Sequence, residues 1–191
     1  AGVADDPVRG MLLSLPDIGA KPLNQLYLRA GRLPEPYAQR EIVLTTPYFI
    51  PSEALLTALR SAAMRGVHVV LIVPARVDSL LVRFASNAYF NDLLPYGVEV
   101  LRFNEGLLHT KSMVIDGEVT IFGTVNLDLR SFELNFEVSL IAYDAAFSAA
   151  TRELQARYAA RSTPIDQAQW LARPWWRRTL ENAVQMMSPL L

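Results

Sequence analysis

Residues 109–126 read HTKSMVIDGEVTIFGTVN, and the spacing within them organises the chain on either side. His109 and Lys111 are two apart in an apolar, β-branched run, so on a strand they share one face. Asp116 and Gly117 fall between two strand-like runs, residues 108–115 and 118–122, which predicts a two-residue hairpin turn. The second run ends at Gly123, which permits a sharp bend, after which Thr124 and Asn126 offer a hydroxyl and an amide to one point in space. An imidazole, an ammonium and two neutral hydrogen-bonding groups at the end of a hairpin make a site for a phosphate ester. The ring attacks phosphorus or carries a proton, while the ammonium and the donors hold the charge that gathers on the non-bridging oxygens.

Upstream of this hairpin the chain alternates strands and helices. Residues 42–46 form a buried-type strand closed by Pro47, Ser52 stands at a helix cap, and residues 54–64 are helical. Gly66 stops that helix, and residues 67–73 make a nearly unbroken β-branched strand of the kind covered on both faces. Asp78 or Ser79 starts a second helix through Leu94, ended by Pro95, Tyr96 and Gly97, and residues 98–103 give the third strand. This order predicts an α/β fold with a mixed, largely parallel sheet flanked by helices on both faces.

Downstream, residues 135–143 predict a further strand, Asp144 caps a helix to about Arg161, and residues 162–170 read as a loop. The last element is an amphipathic helix within residues 174–188, with Trp176, Leu180, Ala183, Val184 and Met187 on one face. Residues 1–40, broken by Pro7, Pro16, Pro22, Pro34 and Pro36, form an irregular lead-in with a short helix at residues 23–30. Residues 41–191 then make a single lobe, in which the His-x-Lys pattern is not repeated.

Composition narrows the function. A chain of 191 residues that is 51% hydrophobic and 19% charged is long and apolar enough for one sizeable core. No apolar run reaches membrane-spanning length, and the first residues lack the basic start and apolar stretch of an export signal. Without cysteine there are no disulfides or thiolate metal sites, and two histidines do not make a three-histidine site. A net charge of −1 offers no basic surface, and no nucleic acid is expected as a partner.

The pattern His-x-Lys-x4-Asp-x6-Gly-Thr-x-Asn resembles the signature of the phospholipase D superfamily at every fixed position. The residues that follow, LDLRSFELNFE at 127–137, are similar to the C-terminal catalytic half of bacterial cardiolipin synthases. So are TTPYFIPSEALLTAL at 45–59, RGVHVVLIVP at 65–74 and the closing SPLL at 188–191. The likeness therefore runs from about Glu41 onward. It implies a phospholipase D-like lobe whose catalytic residues are His109, Lys111 and Asp116, with Lys111, Thr124 and Asn126 on the substrate phosphate. It also implies that Glu137 sits where relatives place the carboxylate that orients the imidazole, fixing its tautomer.

Each of these residues has a competing reading. His68 is followed two positions on by Val70 and has no trailing Gly-Thr-x-Asn, so it is a strand-end histidine without chemistry. Asp116 is explained equally by an Asp-Gly turn and by a supporting role in the site. Arg130 either binds a second phosphate bidentately or pairs with Glu133 at the surface. Trp170, Trp175 and Trp176 interleave with Arg173, Arg177 and Arg178, which suits the edge of an anionic bilayer; packing of that helix on its own domain is the better supported reading.

The resemblance implies transfer of a phosphatidyl group from one phosphatidylglycerol to another, giving cardiolipin and glycerol through a phosphohistidine, with no metal, nucleotide or other cofactor. Such a displacement needs two proton-handling groups in line, and this chain supplies one. A second motif must come from a missing N-terminal half or from a homodimer mate. His109 is then either nucleophile or general acid. The expected partners are phosphatidylglycerol, other anionic phospholipids and the surface of a bacterial cell membrane, reached peripherally or through segments absent from this chain. Alternatives are a phosphodiester hydrolase of the same superfamily and a non-catalytic lobe.

Overall fold

The computed structural model describes residues 11–13 and 41–186. The elements begin with β1 (Met11–Leu13) and β2 (Glu41–Thr45). Thr46 still donates its N–H to Ile72 O at 3.2 Å, and Pro47, with no N–H to give, ends the ladder. After a short β3 (Phe49–Ile50), Ser52 caps α1 (Glu53–Met64) by accepting the Leu55 N–H at 3.3 Å. Gly66, at φ 87°, turns the chain into β4 (His68–Pro74). Ser79 caps α2 (Leu80–Asn91), and a 3-10 turn at Leu94–Tyr96 closes before β5 (Glu99–Phe103).

The hairpin is β6 (Ser112–Ile115) and β7 (Val119–Gly123). Its loop holds three residues instead of the expected two, because Ile115 pairs with Val119 across Asp116, Gly117 and Glu118. Both Asp116 (φ 53°) and Gly117 (φ 70°) are left-handed, the turn conformation that an Asp-Gly pair tolerates. The first strand is also shorter than the expected 108–115. Ser112 already faces Thr45, the last residue of β2, so residues 109–111 have no β2 neighbour to extend the ladder on that side.

The next residues hold two elements that periodicity had not signalled, β8 (Leu127–Asp128) and α3 (Leu129–Glu133). Asp128 makes both possible: it pairs within β8 against β3, and its carboxylate caps α3 through the Ser131 N–H at 2.6 Å. β9 (Ser139–Ala142) follows, and then α4 (Ala145–Ala160), where Asp144 accepts the Phe147 N–H at 2.7 Å as the sequence predicts. The expected loop at 162–170 contains β10 (Ser162–Pro164) and α5 (Gln167–Leu171), both too short for a hydrophobic period to register. The last helix is α6 (Trp175–Gln185). The expected helix at 23–30, the end of segment 174–188 and the SPLL at 188–191 lie outside the described residues.

One sheet runs in the order β1-β9-β7-β6-β2-β4-β5-β10. The mixed α/β class is as expected, but the sheet is not largely parallel: among the described residues two of its pairings are parallel and five antiparallel, because the hairpin reverses the chain and both edge strands join antiparallel. Its parallel part is the run β2, β4, β5, and the hairpin, β9, β1 and β10 add antiparallel pairings around it. Alternation along β2 separates the layers: Ile42 and Leu44 pack with α1, α2 and α6 through Leu56, Leu59, Tyr89, Phe90 and Val184, whereas Val43 faces α4 with Tyr158 and Ala159. No described helix is long and apolar enough to cross a membrane.

α6 is docked by a polar clasp. Glu181, 2% exposed, takes two bonds from Arg173 at 2.8 and 2.9 Å and one from Asn87 Nδ2 at 3.1 Å, while Val184 enters the core. Of the face expected to pack inward, Val184 alone does so among the described residues; Trp176, Leu180 and Ala183 are exposed, because the helix is rotated to bury Glu181. Trp170 behaves differently from its neighbours: it is buried, stacked under Arg173 at 3.4 Å, with Nε1 donating to Asn91 Oδ1 at 3.0 Å.

Candidate functional site

The motif spans both ends of β6, and the two ends differ in chemistry. At the carboxyl end of the parallel strands lie His109 and Lys111, just outside β6. The Lys111 Nζ reaches back to the His109 carbonyl oxygen at 2.9 Å, and the Lys111 carbonyl accepts the Gly123 N–H at 3.3 Å. The His109 residue is exposed and its ring makes no hydrogen bond among the described residues. Lys111 is half-buried. Burial pulls its ammonium below the ordinary lysine value, and the carboxylates of Glu137 and Asp128 pull it part of the way back.

Glu137 lies in the connection before β9, not on a strand as expected. Its Oε1 accepts the Asn135 Nδ2 at 3.2 Å, and its field acts on Lys111. No hydrogen bond joins it to the His109 ring among these described residues, so in this arrangement it steadies the ammonium. Asp128, which sequence reasoning passed over as part of a run after the motif, is the second carboxylate on Lys111; the signal was its place as a cap.

Gly123 serves a different purpose from the predicted bend. A Cβ there would overlap the Val138 carbonyl oxygen and stand 2.9 Å from the Ser139 Cα, so β7 and the entry to β9 approach too closely for any side chain. Thr124 then ties the two segments: its N–H donates to Val138 O at 2.9 Å, and its Oγ1 accepts the Val138 N–H at 2.9 Å. Its hydroxyl is engaged with backbone instead of open to a ligand. Asn126 differs. Its Oδ1 is buried with no partner among the described residues, an acceptor that calls for a donor.

Asp116 stands at the opposite end of β6. Its Oδ1 accepts the Glu41 N–H at 2.8 Å and its own N–H donates to Glu41 O at 3.0 Å, pinning the hairpin turn to the start of β2. The structure thus separates it from His109 and Lys111 by the full length of the strand. Arg130 is exposed on α3, and its carbonyl closes that helix by accepting the Leu134 and Asn135 N–H groups. His68 belongs with Asp116's end: it bonds Glu99 Oε2 at 3.2 Å and lies 3.6 Å from Glu41.

At this end of β6, then, the half-buried ammonium of Lys111 feels two carboxylates and touches the His109 backbone, the His109 side chain is exposed, and Asn126 follows Gly123 in the chain. Leu107, Leu134, Phe136 and Val138 are exposed on the segments that carry them, Phe136 at 89%. A half-buried cation two residues from an exposed imidazole suits an anion that is to be attacked or protonated.

Residues 37–159 match the family model described as the cardiolipin synthase, PLD-like domain. Cardiolipin synthase A of Cronobacter sakazakii is 51% identical over 156 residues, covering 81% of this chain and 32% of that protein. Cardiolipin synthase A of Pectobacterium carotovorum is 48% identical over 154 residues, again covering 81% and 32%. This chain therefore spans about a third of the length of the curated relatives it matches. Among solved structures, Nuc of Salmonella typhimurium, a phospholipase D family member, aligns with a TM-score of 0.62 at 17% identity over 68% of this chain and 84% of that one. Phosphatidylserine synthase of Haemophilus influenzae aligns with a TM-score of 0.62 at 16% identity, over 80% and 42%. At such identities the two structures speak to the fold.

Proposed function

The chain belongs to the cardiolipin synthase family of phospholipase D-like domains, and from that premise we propose that it is one catalytic lobe of a phosphatidyltransferase that joins two phosphatidylglycerols. A histidine nitrogen attacks the phosphorus of the first lipid, and the bond to its glycerol headgroup breaks as a second group protonates the leaving oxygen. The phosphatidyl group now sits on histidine. A hydroxyl of the second phosphatidylglycerol gives up its proton and attacks phosphorus, releasing the histidine and forming cardiolipin; glycerol is the other product. His109 performs one of the two imidazole roles, Lys111 holds the non-bridging oxygens and Asn126 offers its Nδ2 hydrogens to them. Glu137 and Asp128 keep Lys111 protonated.

The observation that carries this reading is the state of His109: exposed, without a hydrogen-bond partner among the described residues, and set on a surface where Leu107, Phe136 and Val138 are also exposed. One imidazole is half of what the displacement requires. An apolar rim around it suits both a second lobe and a lipid substrate. The second motif comes from another lobe or another copy. Trp175 and Trp176, exposed on α6 beside Arg177 and Arg178, would hold the lobe against an anionic membrane surface.

The test is a turnover assay on phosphatidylglycerol vesicles that scores released glycerol and identifies product lipids, run on the chain alone, on any dimeric fraction and on the chain mixed with a lobe carrying a second His-x-Lys motif. Turnover confined to paired preparations, forming cardiolipin and abolished by His109→Asn, is expected. Phosphatidic acid as the product would make water the acceptor and the protein a hydrolase. Lipid binding that survives His109→Ala, with no turnover in any preparation, would replace the reading with a non-catalytic lobe.

A further inference from the structure

A cavity of about 220 Å³ opens beside Lys111 on the α1 side of the hairpin. Its walls are the side chains of Leu55 on α1, Met113 and Ile121 on the hairpin, Leu127 on β8 and Phe132 on α3, five elements that converge without filling the space between them. Lys111 is the one charged residue on its lining. Thr45, 1% exposed, also lines it, and its Oγ1 is buried with no hydrogen-bond partner. The cleft is open to solvent on one side, and the Thr45 hydroxyl, unpaired among the described residues, adds a polar group that a ligand could satisfy.

We propose that this cavity receives the start of an acyl chain of the phospholipid whose phosphate lies on Lys111. The proposal rests on the phosphatidyl-transfer reading above and adds where the hydrocarbon goes. Three observations select this occupant. The walls are hydrocarbon, which a nucleotide sugar or a water-filled leaving-group channel would not favour. The cation stands on the lining of the cavity, so a ligand needs an anionic head joined to an apolar tail. The hydroxyl of Thr45 lacks an acceptor, and the ester carbonyl between a glycerol phosphate and its chain is one. The volume lies below the ~300–1,000 Å³ typical of a site that engulfs a whole small ligand, so it takes part of one chain and leaves the remainder for a membrane or a second lobe.

The experiment uses the chain as it stands, labelled with ¹⁵N, and titrates it with glycerol 3-phosphate and with 1-acyl glycerol 3-phosphates of four, six and eight carbons, kept below their micelle concentrations. Shifts of the backbone amides of Lys111 and Gly123 report the phosphate, and those of Leu55, Ile121 and Phe132 report the chain. Each added methylene that enters the cavity should tighten binding about fourfold until the space is full. Ile121→Trp, which fills the cavity from the sheet, should abolish that dependence on chain length while glycerol 3-phosphate binds as before. Leu55→Trp fills it from the helix and keeps the test open should the first variant fail to fold. Equal affinity for glycerol 3-phosphate and the acyl forms overturns the acyl site, as does a chain-length gain that persists in both folded variants. Loss of the Lys111 and Gly123 shifts for every ligand, glycerol 3-phosphate included, instead overturns the phosphate site on which the functional reading stands.

Discussion

Gly123→Ala separates two accounts of the same glycine by the sign of its effect. If Gly123 served chain flexibility, alanine at its ordinary, non-left-handed φ would stabilise the fold by ~0.4–1 kcal/mol through the unfolded state. The structure argues the reverse. The added Cβ meets backbone, the Val138 carbonyl oxygen and the Ser139 Cα, and backbone in a paired strand has no rotamer through which to escape. The β7–β9 ladder must open, and the two Thr124–Val138 bonds go with it. Overpacking costs ~1–3 kcal/mol and each lost bond ~1 kcal/mol, for a total of about 3–5 kcal/mol. In a protein of this size that lowers Tm by roughly 6–15 °C. The assay is urea and thermal unfolding followed by circular dichroism, with Gly97→Ala as the control: Gly97 has φ 83° and open space around it, so only the ~1–2 kcal/mol of left-handed strain applies. A Gly123→Ala protein as stable as the parent, or more so, would refute the close-approach argument and the position of β9 with it.

In the proposed function Lys111 sets a pH limit on phosphate binding. Burial lowers its pKa, so the charged form and the binding it supports are present below that value and fade as pH rises through it, earlier than for an ordinary lysine; a titration of glycerol 3-phosphate affinity between pH 7 and 11 checks this. Glu137→Gln removes one opposing charge and should move that loss to lower pH still, seen in the same titration. Glu181→Ala leaves Arg173 unpaired and takes a counter-charge from Arg102, already pushed to about 10 by burial and by Arg83 and Arg173; a loss of ~3–5 kcal/mol in urea unfolding is expected, with Glu181→Gln intermediate. Trp175→Ala with Trp176→Ala should weaken sedimentation with phosphatidylglycerol vesicles at least tenfold at unchanged Tm, because both indoles are exposed, at 77% and 52%.

Legibility followed the length scale of the signal. Strands of β-branched residues, the Ser52, Ser79 and Asp144 caps and the hairpin were all readable, because each rests on residue type within a few positions. What escaped depended on partners far along the chain. β10 exists because Ser162, Thr163 and Pro164 find the edge of β5, and α3 because Asp128 is fixed by β3 some eighty positions earlier. The rotation of α6 was equally hidden: periodicity shows that a helix has an apolar face, but the buried Glu181 clasp decides which face the core receives. Within the candidate site, spacing alone singled out His109 and Lys111, whereas the bond of Thr124 to Val138 and the action of Glu137 on Lys111 needed the connection before β9 to be in place.

The distance between the two ends of β6 explains why one short pattern carries an aspartate at all. Asp116 holds Glu41 by exchanging backbone and side-chain bonds, Glu41 holds Arg152 of α4 through two bonds of 2.7 Å, and His68 closes the group from β4. Arg152 keeps the Glu41 carboxyl below its usual value, so this knot is intact above the ordinary carboxylate range and loosens as pH falls through the lowered one. It fixes the register of β6 against β2, and a slip of one residue would turn His109 and Lys111 to the other face of the sheet. In the function proposed above, Asp116 would thus act at a distance, by setting which side of the sheet carries His109 and Lys111.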